Sequence, residues 1–331
     1  MRTTTLGATG LEVSRVAYGT WQLGGDWGPF DEDVATAAIR RARELGINFF
    51  DTAQAYGFGA SERLLGKALR GDLARDRDGV VIATKGGVRP PGPKGPEGTP
   101  RGGGRDASAA FLREGVEQSL RALDVETIDL YQVHWPDPET PAAETAGALQ
   151  EMVDEGKLRH VGVSNYDAAQ MAEFAAVRPV ETLQPPYHLF RRGIEAEILP
   201  YTQKHGIGVL AYSPLASGLL TGRFDEDTRF DENDWRSKAT AFTGDALRRN
   251  LAVVRRLSDF AEARGHSVSE IAIAWVLARV DVALVGARSS SSIESSAAAA
   301  DITLSDDELA EIESIAADGV QIEGASPEGV A

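Results

Sequence analysis

The strongest constraint on this chain is an alternation of two patterns. Short apolar runs of strand length recur: Val16 to Thr20, a run ending at Asp51, Val80 to Thr84, Ile128 to Val133, His160 to Val163, Thr182 to Gln184, Gly208 to Tyr212 and Ala283 to Val285. Stretches with helical spacing separate them. Asp31 stands where its carboxylate can cap a helix to Leu45, with Val34, Ala37, Ala38, Ala42 and Leu45 as the apolar face and Gly46 as the stop. Further helices are predicted from about Ala60 to Arg70, from Asp106 through Phe111, Leu112, Val116, Leu120 and Leu123, from Ala142 to Glu155, from an Asp167 cap to Ala176, and from Glu195 to Lys204. Ser267-Val-Ser-Glu270 forms a capping box for a helix to Arg279, and Ser305-Asp-Asp-Glu308 caps a last one.

Strands alternating with helices imply a parallel sheet, and eight such strands can close into a TIM barrel. The competing architecture is an open doubly wound sheet. Its phosphate fingerprint, Gly-x-Gly-x-x-Gly after the first strand, is missing: the turn reads Gly19-Thr20-Trp21-Gln22-Leu23-Gly24. The prediction is therefore an α/β fold, a single (β/α)8 barrel domain over residues 1–331, with an N-terminal β-hairpin within residues 3–15 and an extra C-terminal helix. Two long connections, Gly86 to Arg105 and Ser213 to Gly244, belong on the C-terminal face, where barrels carry lids and binding loops. The tail from Asp318 to Ala331 reads as loosely ordered.

Composition narrows the function. A net charge of −16 repels nucleic acid and anionic membrane surfaces. The absence of cysteine excludes disulfides, thiolate nucleophiles and Cys-ligated metal centres. The N-terminus lacks a signal-peptide core and no apolar run is long enough to span a bilayer, so the expected setting is cytoplasmic.

The chemistry collects at strand ends. Ile47-Asn-Phe-Phe closes on Asp51, with Tyr56 in the turn beyond; the next strand ends in Lys85, and the one after it in His134. In a barrel these lie on one face, together with Ser164, Asn165, Gln184, Ser213 and Gly286. Lys85 is conspicuous because only six of the 34 basic Lys and Arg residues are lysines. An amine after five apolar residues suggests a group that titrates when buried, which guanidinium does not. A phenol beside an ammonium titrates below its usual value of about 10 and becomes a usable general acid or base. Asp51 would orient Lys85, and His134 would position a carbonyl oxygen.

The motifs Asp51-Thr-Ala-Gln-Ala-Tyr56-Gly with Ser61-Glu62 and Leu65-Gly66, Thr84-Lys85, Leu130-Tyr-Gln-Val-His134, Gly162-Val-Ser164-Asn165, Tyr212-Ser-Pro-Leu215 with Gly218-Leu-Leu-Thr-Gly222, and Gly286-Ala-Arg288 run the length of the chain in one order. They resemble the aldo-keto reductase family, in particular its bacterial members and the related potassium-channel beta-subunit branch. The resemblance implies a catalytic tetrad of Asp51, Tyr56, Lys85 and His134, with Tyr56 as proton donor. It implies that Ser164, Asn165 and Gln184 hold a nicotinamide carboxamide, that Tyr212 stacks on its ring, and that Thr20 and Trp21 lie near the nicotinamide and the substrate mouth. Ser213, Pro214, Leu215, Ala216 and Ser217, with Arg223 and Arg236, would hold the pyrophosphate. Asp51, Gly286, Ala287, Arg288 and Ser292 would also touch the cofactor, with Arg288 facing the adenosine 2′-phosphate. The cofactor is then NADPH, with NADH possible. One departure stands out: where the family commonly has glutamine and asparagine for the adenine, this chain has Ser289 to Ser292, then Ser295 and Ser296.

The implied function is hydride transfer to an aldehyde or ketone, with no metal. Two alternatives stand beside it: an NADPH-holding regulatory subunit with little turnover, and a lyase forming a Schiff base on Lys85. Trp21, Trp27, Tyr56, His134, Trp135 and Trp235 are candidates for the substrate mouth. The partner is a small carbonyl compound, and oligomeric state is open.

Overall fold

The computed structural model describes residues 1–25, 28–90, 103–232 and 234–323. A hairpin of β1 (Thr3–Thr5) and β2 (Glu12–Ser14) precedes the barrel. The barrel strands are β3 (Val16–Gly19), β4 (Phe49–Asp51), β5 (Val81–Gly86), β6 (Ile128–Val133), β7 (Leu158–Ser164), β8 (Thr182–Gln184), β9 (Gly208–Tyr212) and β10 (Val282–Gly286). They pair in parallel in the order β10-β3-β4-β5-β6-β7-β8-β9 and close on themselves. This is the predicted (β/α)8 barrel with its hairpin. Leu6 and Val13 of the hairpin segment pack with Phe49, Val81, Leu130 and Leu210 inside the barrel, so the N-terminal end is plugged by apolar side chains.

The surrounding helices are α1 (Glu32–Glu44), α2 (Ala60–Arg75), α3 (Ala109–Leu123), α4 (Ala142–Asp154), α5 (Ala168–Ala175), α6 (Ile198–His205), α7 (Gly244–Glu262), α8 (Val268–Leu277), α9 (Ser290–Ala298) and α10 (Asp306–Ala316). Capping boxes start α8 at Ser267 and α10 at Ser305, as their spacing predicts. Asp31 accepts from the backbone N–H groups of Asp33 and Val34, and Asp167 forms a capping box with Gln170.

Several boundaries differ from expectation. On α1 the buried stripe is Ala35, Ala38, Ile39 and Ala42, whereas Val34 is 46% exposed. The predicted face was rotated by about one position, because alanines satisfy two registers equally. Asp106 does not open α3; it accepts from Ser108 N and pairs with Arg89, and the helix starts at Ala109. The helix expected from Glu195 is broken into a 3-10 turn, Gly193–Glu195, and α6. Helices α7 and α9 were not anticipated. The first carries Leu247, Leu251, Val254 and Leu257 on one buried stripe within a long connection; the second is a serine run of weak propensity that packs against α1. The tail is pinned as far as Ile322: Val320 N donates to Asn250 Oδ1 at 2.8 Å and Ile322 N to Phe190 O at 2.6 Å. Residues 324–331 lie outside the described residues, as do Trp27 and residues 91–102 of the Gly86 to Arg105 connection. The base of that connection is a short antiparallel bridge between Val88 and Arg105.

Candidate active site

The C-terminal strand ends bring the acid, amine, phenol and imidazole together. Parallel pairing sets Asp51 of β4 beside Ala83 of β5, and Lys85 beside Gln132 of β6. Lys85 therefore lies within β5 rather than after it, and has no exposed surface. Its Nζ donates to Asp51 Oδ1 at 2.6 Å, to the Thr52 carbonyl at 2.9 Å and to Tyr56 Oη at 3.2 Å. The Tyr56 ring meets the His134 ring edge-on, with centroids 5.8 Å apart. Backbone bonds stitch the Tyr56 turn to β5: Thr52 N donates to Ala83 O and Gln54 N to Lys85 O, each at 2.9 Å.

A buried carboxylate needs more than its ion pair to offset lost hydration. Asp51 Oδ2 accepts from Gln184 Nε2 at 2.9 Å and from Gln132 Nε2 at 3.4 Å. Gln132 is a member of this cluster that the sequence reading passed over as an ordinary strand residue.

Beside the cluster runs a cleft of about 420 Å³, with Trp21, Asp51, Tyr56, Gln184, Tyr212, Arg288 and Ser292 among its walls, within the roughly 300–1,000 Å³ usual for small-molecule sites. Tyr212 donates to Asn165 Oδ1 at 2.9 Å; Asn165 Nδ2 in turn reaches Ser164 Oγ at 3.0 Å and the His134 carbonyl at 3.1 Å. Ser213, Pro214, Leu215 and Ser217 line the cleft, while Ala216 is buried behind it. Asn165, Ser213, Ala216 and Ser217 all have φ between 49° and 63°. Non-glycine residues hold such conformations at a cost of about 1–3 kcal/mol each, and they cluster where a loop must wrap a ligand.

Arg223, Arg236 and Arg288 border the same cleft. Arg236 pairs with Asp234 at 2.5 Å and donates to Ser217 O at 3.2 Å. Arg288 binds its proton less firmly than a free guanidinium, through partial burial and then through the charge of Arg236. Arg236 and Arg288, whose charges act on each other, share the cleft with serine hydroxyls, an aromatic ring and an amide side chain, a donor set that fits a dinucleotide with phosphate groups.

Other predicted residues sit elsewhere. Thr20 is fully buried, its hydroxyl 3.1 Å from Asp51 O and 2.7 Å from Ser61 Oγ. Trp135 is buried with the Arg105 guanidinium 5.0 Å from its ring centre. Trp235 packs edge-on against Phe242. Gln22, Phe224 and Ser269 line the cleft unannounced by any motif; Gln22 is signalled only by its place after Trp21.

A family model for the aldo/keto reductases matches residues 15–317. Aldo-keto reductase YhdN of Bacillus subtilis is 40% identical over 319 residues, covering 95% of this chain and 93% of its own. The NADH-specific methylglyoxal reductase of Escherichia coli is 33% identical over 92% of this chain and 95% of its own. Among solved structures, the glycerol dehydrogenase AKR11B4 from Gluconobacter oxydans superposes with a TM-score of 0.87 at 40% identity, covering 98% of each chain. With an eight-stranded barrel, a clustered acid, amine, phenol and imidazole, and a match spanning nearly its whole length, the chain belongs to the aldo/keto reductase family.

Proposed function

We propose that this protein is an NADPH-dependent reductase that converts aldehyde or ketone carbonyls to alcohols. The observation that carries the reading is the Tyr56 phenol 3.2 Å from an ammonium that is itself 2.6 Å from a buried carboxylate, at the end of a cleft suited to a dinucleotide.

Tyr212, Ser164, Asn165 and Gln184 would hold the nicotinamide end, and Arg236, Arg288 and Ser292 the phosphate-bearing end. The bound cofactor supplies the hydride. Tyr56 gives its proton to the carbonyl oxygen, and the charge left on the phenolate is balanced by Lys85. Asp51 fixes Lys85 in place, held in turn by Gln184 and Gln132. His134, edge-on to Tyr56, donates to the same oxygen and sets the carbonyl's orientation. Lys85 has no exposed surface and is enclosed by Asp51, Thr52 and Tyr56. That leaves no approach for a carbonyl carbon and weighs against a Schiff base.

The test is cofactor oxidation at 340 nm with a reactive aldehyde, NADPH and NADH side by side. Tyr56→Phe should lose about 10²–10⁴-fold in the chemical step and still bind cofactor. A Tyr56→Phe enzyme with unreduced turnover would remove the proton-donor role.

A further inference from the structure

Ser61 and Glu62 lie in the first turn of helix α2, soon after the Tyr56 turn. Both are buried, at 0% and 1% exposure, and the N-cap, Gly59, makes no side-chain cap. Serine and glutamate in a first turn ordinarily answer the helix's own N–H groups. Here they face the barrel. Ser61 Oγ lies 2.7 Å from Thr20 Oγ1 and 3.2 Å from Thr52 Oγ1. Glu62 Oε1 accepts from Thr84 Oγ1 at 2.7 Å.

The threonines are the informative part. Thr52 follows Asp51, Thr84 precedes Lys85, and Thr20 precedes Trp21. Two consecutive side chains therefore grip the ends of three adjacent strands, each beside a residue of the cleft or its cluster. The same turn holds Tyr56, whose carbonyl accepts from Ser61 N at 3.2 Å.

We propose that Ser61 and Glu62 are positioning residues, a clamp that sets the Tyr56 phenol against the Lys85 ammonium for proton transfer. This rests on the reductase reading. Glu62 acts here through its acceptor oxygen, which takes the Thr84 hydroxyl; burial raises its proton affinity, against the opposing pull of that hydrogen bond and of the charges of Arg63 on α2 and Lys85 on β5. Tyr131 of β6 faces it as a neutral phenol, pushed well up by burial.

The experiment compares Thr84→Val and Glu62→Leu, which break the contact, with Thr84→Ser and Glu62→Gln, which keep it. The first pair should lower kcat about 10- to 100-fold, as small misplacements of reacting groups do, while KM for NADPH changes less than about threefold. The second pair should stay within about threefold of the unaltered enzyme. A readout that needs no turnover is the ultraviolet titration of the Tyr56 phenol, isolated in each background by subtracting the Tyr56→Phe spectrum. It should move upward in Thr84→Val as the ammonium retreats. Wild-type kcat in Thr84→Val, or an unmoved titration, overturns the clamp. Glu62→Gln as impaired as Glu62→Leu overturns it in favour of a charge role. A moved titration in a protein that reduces no carbonyl leaves the clamp standing and removes the reductase reading.

Discussion

Replacing Lys85 by methionine tests the site through stability as well as turnover. The ammonium has no exposed surface and touches Asp51 at 2.6 Å. At that distance direct attraction is about 6 kcal/mol at an effective dielectric constant near 20, opposed by the cost of removing both charges from water. Methionine nearly preserves the volume but leaves Asp51 with Gln184 and Gln132 as its side-chain partners. Breaking a buried pair from one side typically costs about 3–5 kcal/mol, the magnitude expected here by urea denaturation at pH 7. In the variant, protonating Asp51 removes the uncompensated charge, so the deficit should narrow as pH falls. The double variant Asp51→Asn, Lys85→Met removes both charges and should recover most of the loss. Turnover should fall about 10²–10⁴-fold in either variant, since the phenolate left on Tyr56 has no balancing cation. A single variant losing less than about 1 kcal/mol, or a double variant whose loss equals the sum of the two single losses, would refute the account of a coupled buried pair.

Other predictions follow from the same geometry. A Cβ on Gly86 would overlap the Tyr131 hydroxyl, so Gly86→Ala should cost about 1–3 kcal/mol, with part recovered by adding Tyr131→Phe, as read by thermal unfolding. Arg288→Gln should weaken NADPH binding about 10- to 100-fold, the loss of a charge-assisted hydrogen bond, and leave NADH binding little changed in fluorescence titrations. His188 is buried and its imidazole is pushed down to about 3, first by burial and then by Arg191. The unfolded chain therefore binds the extra proton between about pH 6.5 and that value. Stability should fall on acidification across that window, on the order of 4 kcal/mol from this residue, and His188→Gln should lose less between pH 7 and pH 4.

The architecture was legible because apolar strands and capping boxes are local signals. Ser267 with Glu270 and Ser305 with Glu308 start their helices where the spacing places them. That Asp51, Tyr56, Lys85 and His134 would lie together was legible because the strand ends of a barrel share one face. What escaped was decided by packing. The serine-rich α9 has little helical preference and is held by its contact with α1. The partnership of Gln132 with Asp51 depends on strand register, which no single stretch encodes. Val320 and Ile322 lie in a stretch that looks featureless, yet they are tied down by Asn250 and Phe190, far earlier in the chain.

The apolar plug made by Leu6 and Val13 has a consequence for traffic. Because apolar side chains fill the N-terminal end of the barrel, a molecule that reaches the cluster of Asp51, Tyr56 and Lys85 has to come and go on the side of the C-terminal strand ends.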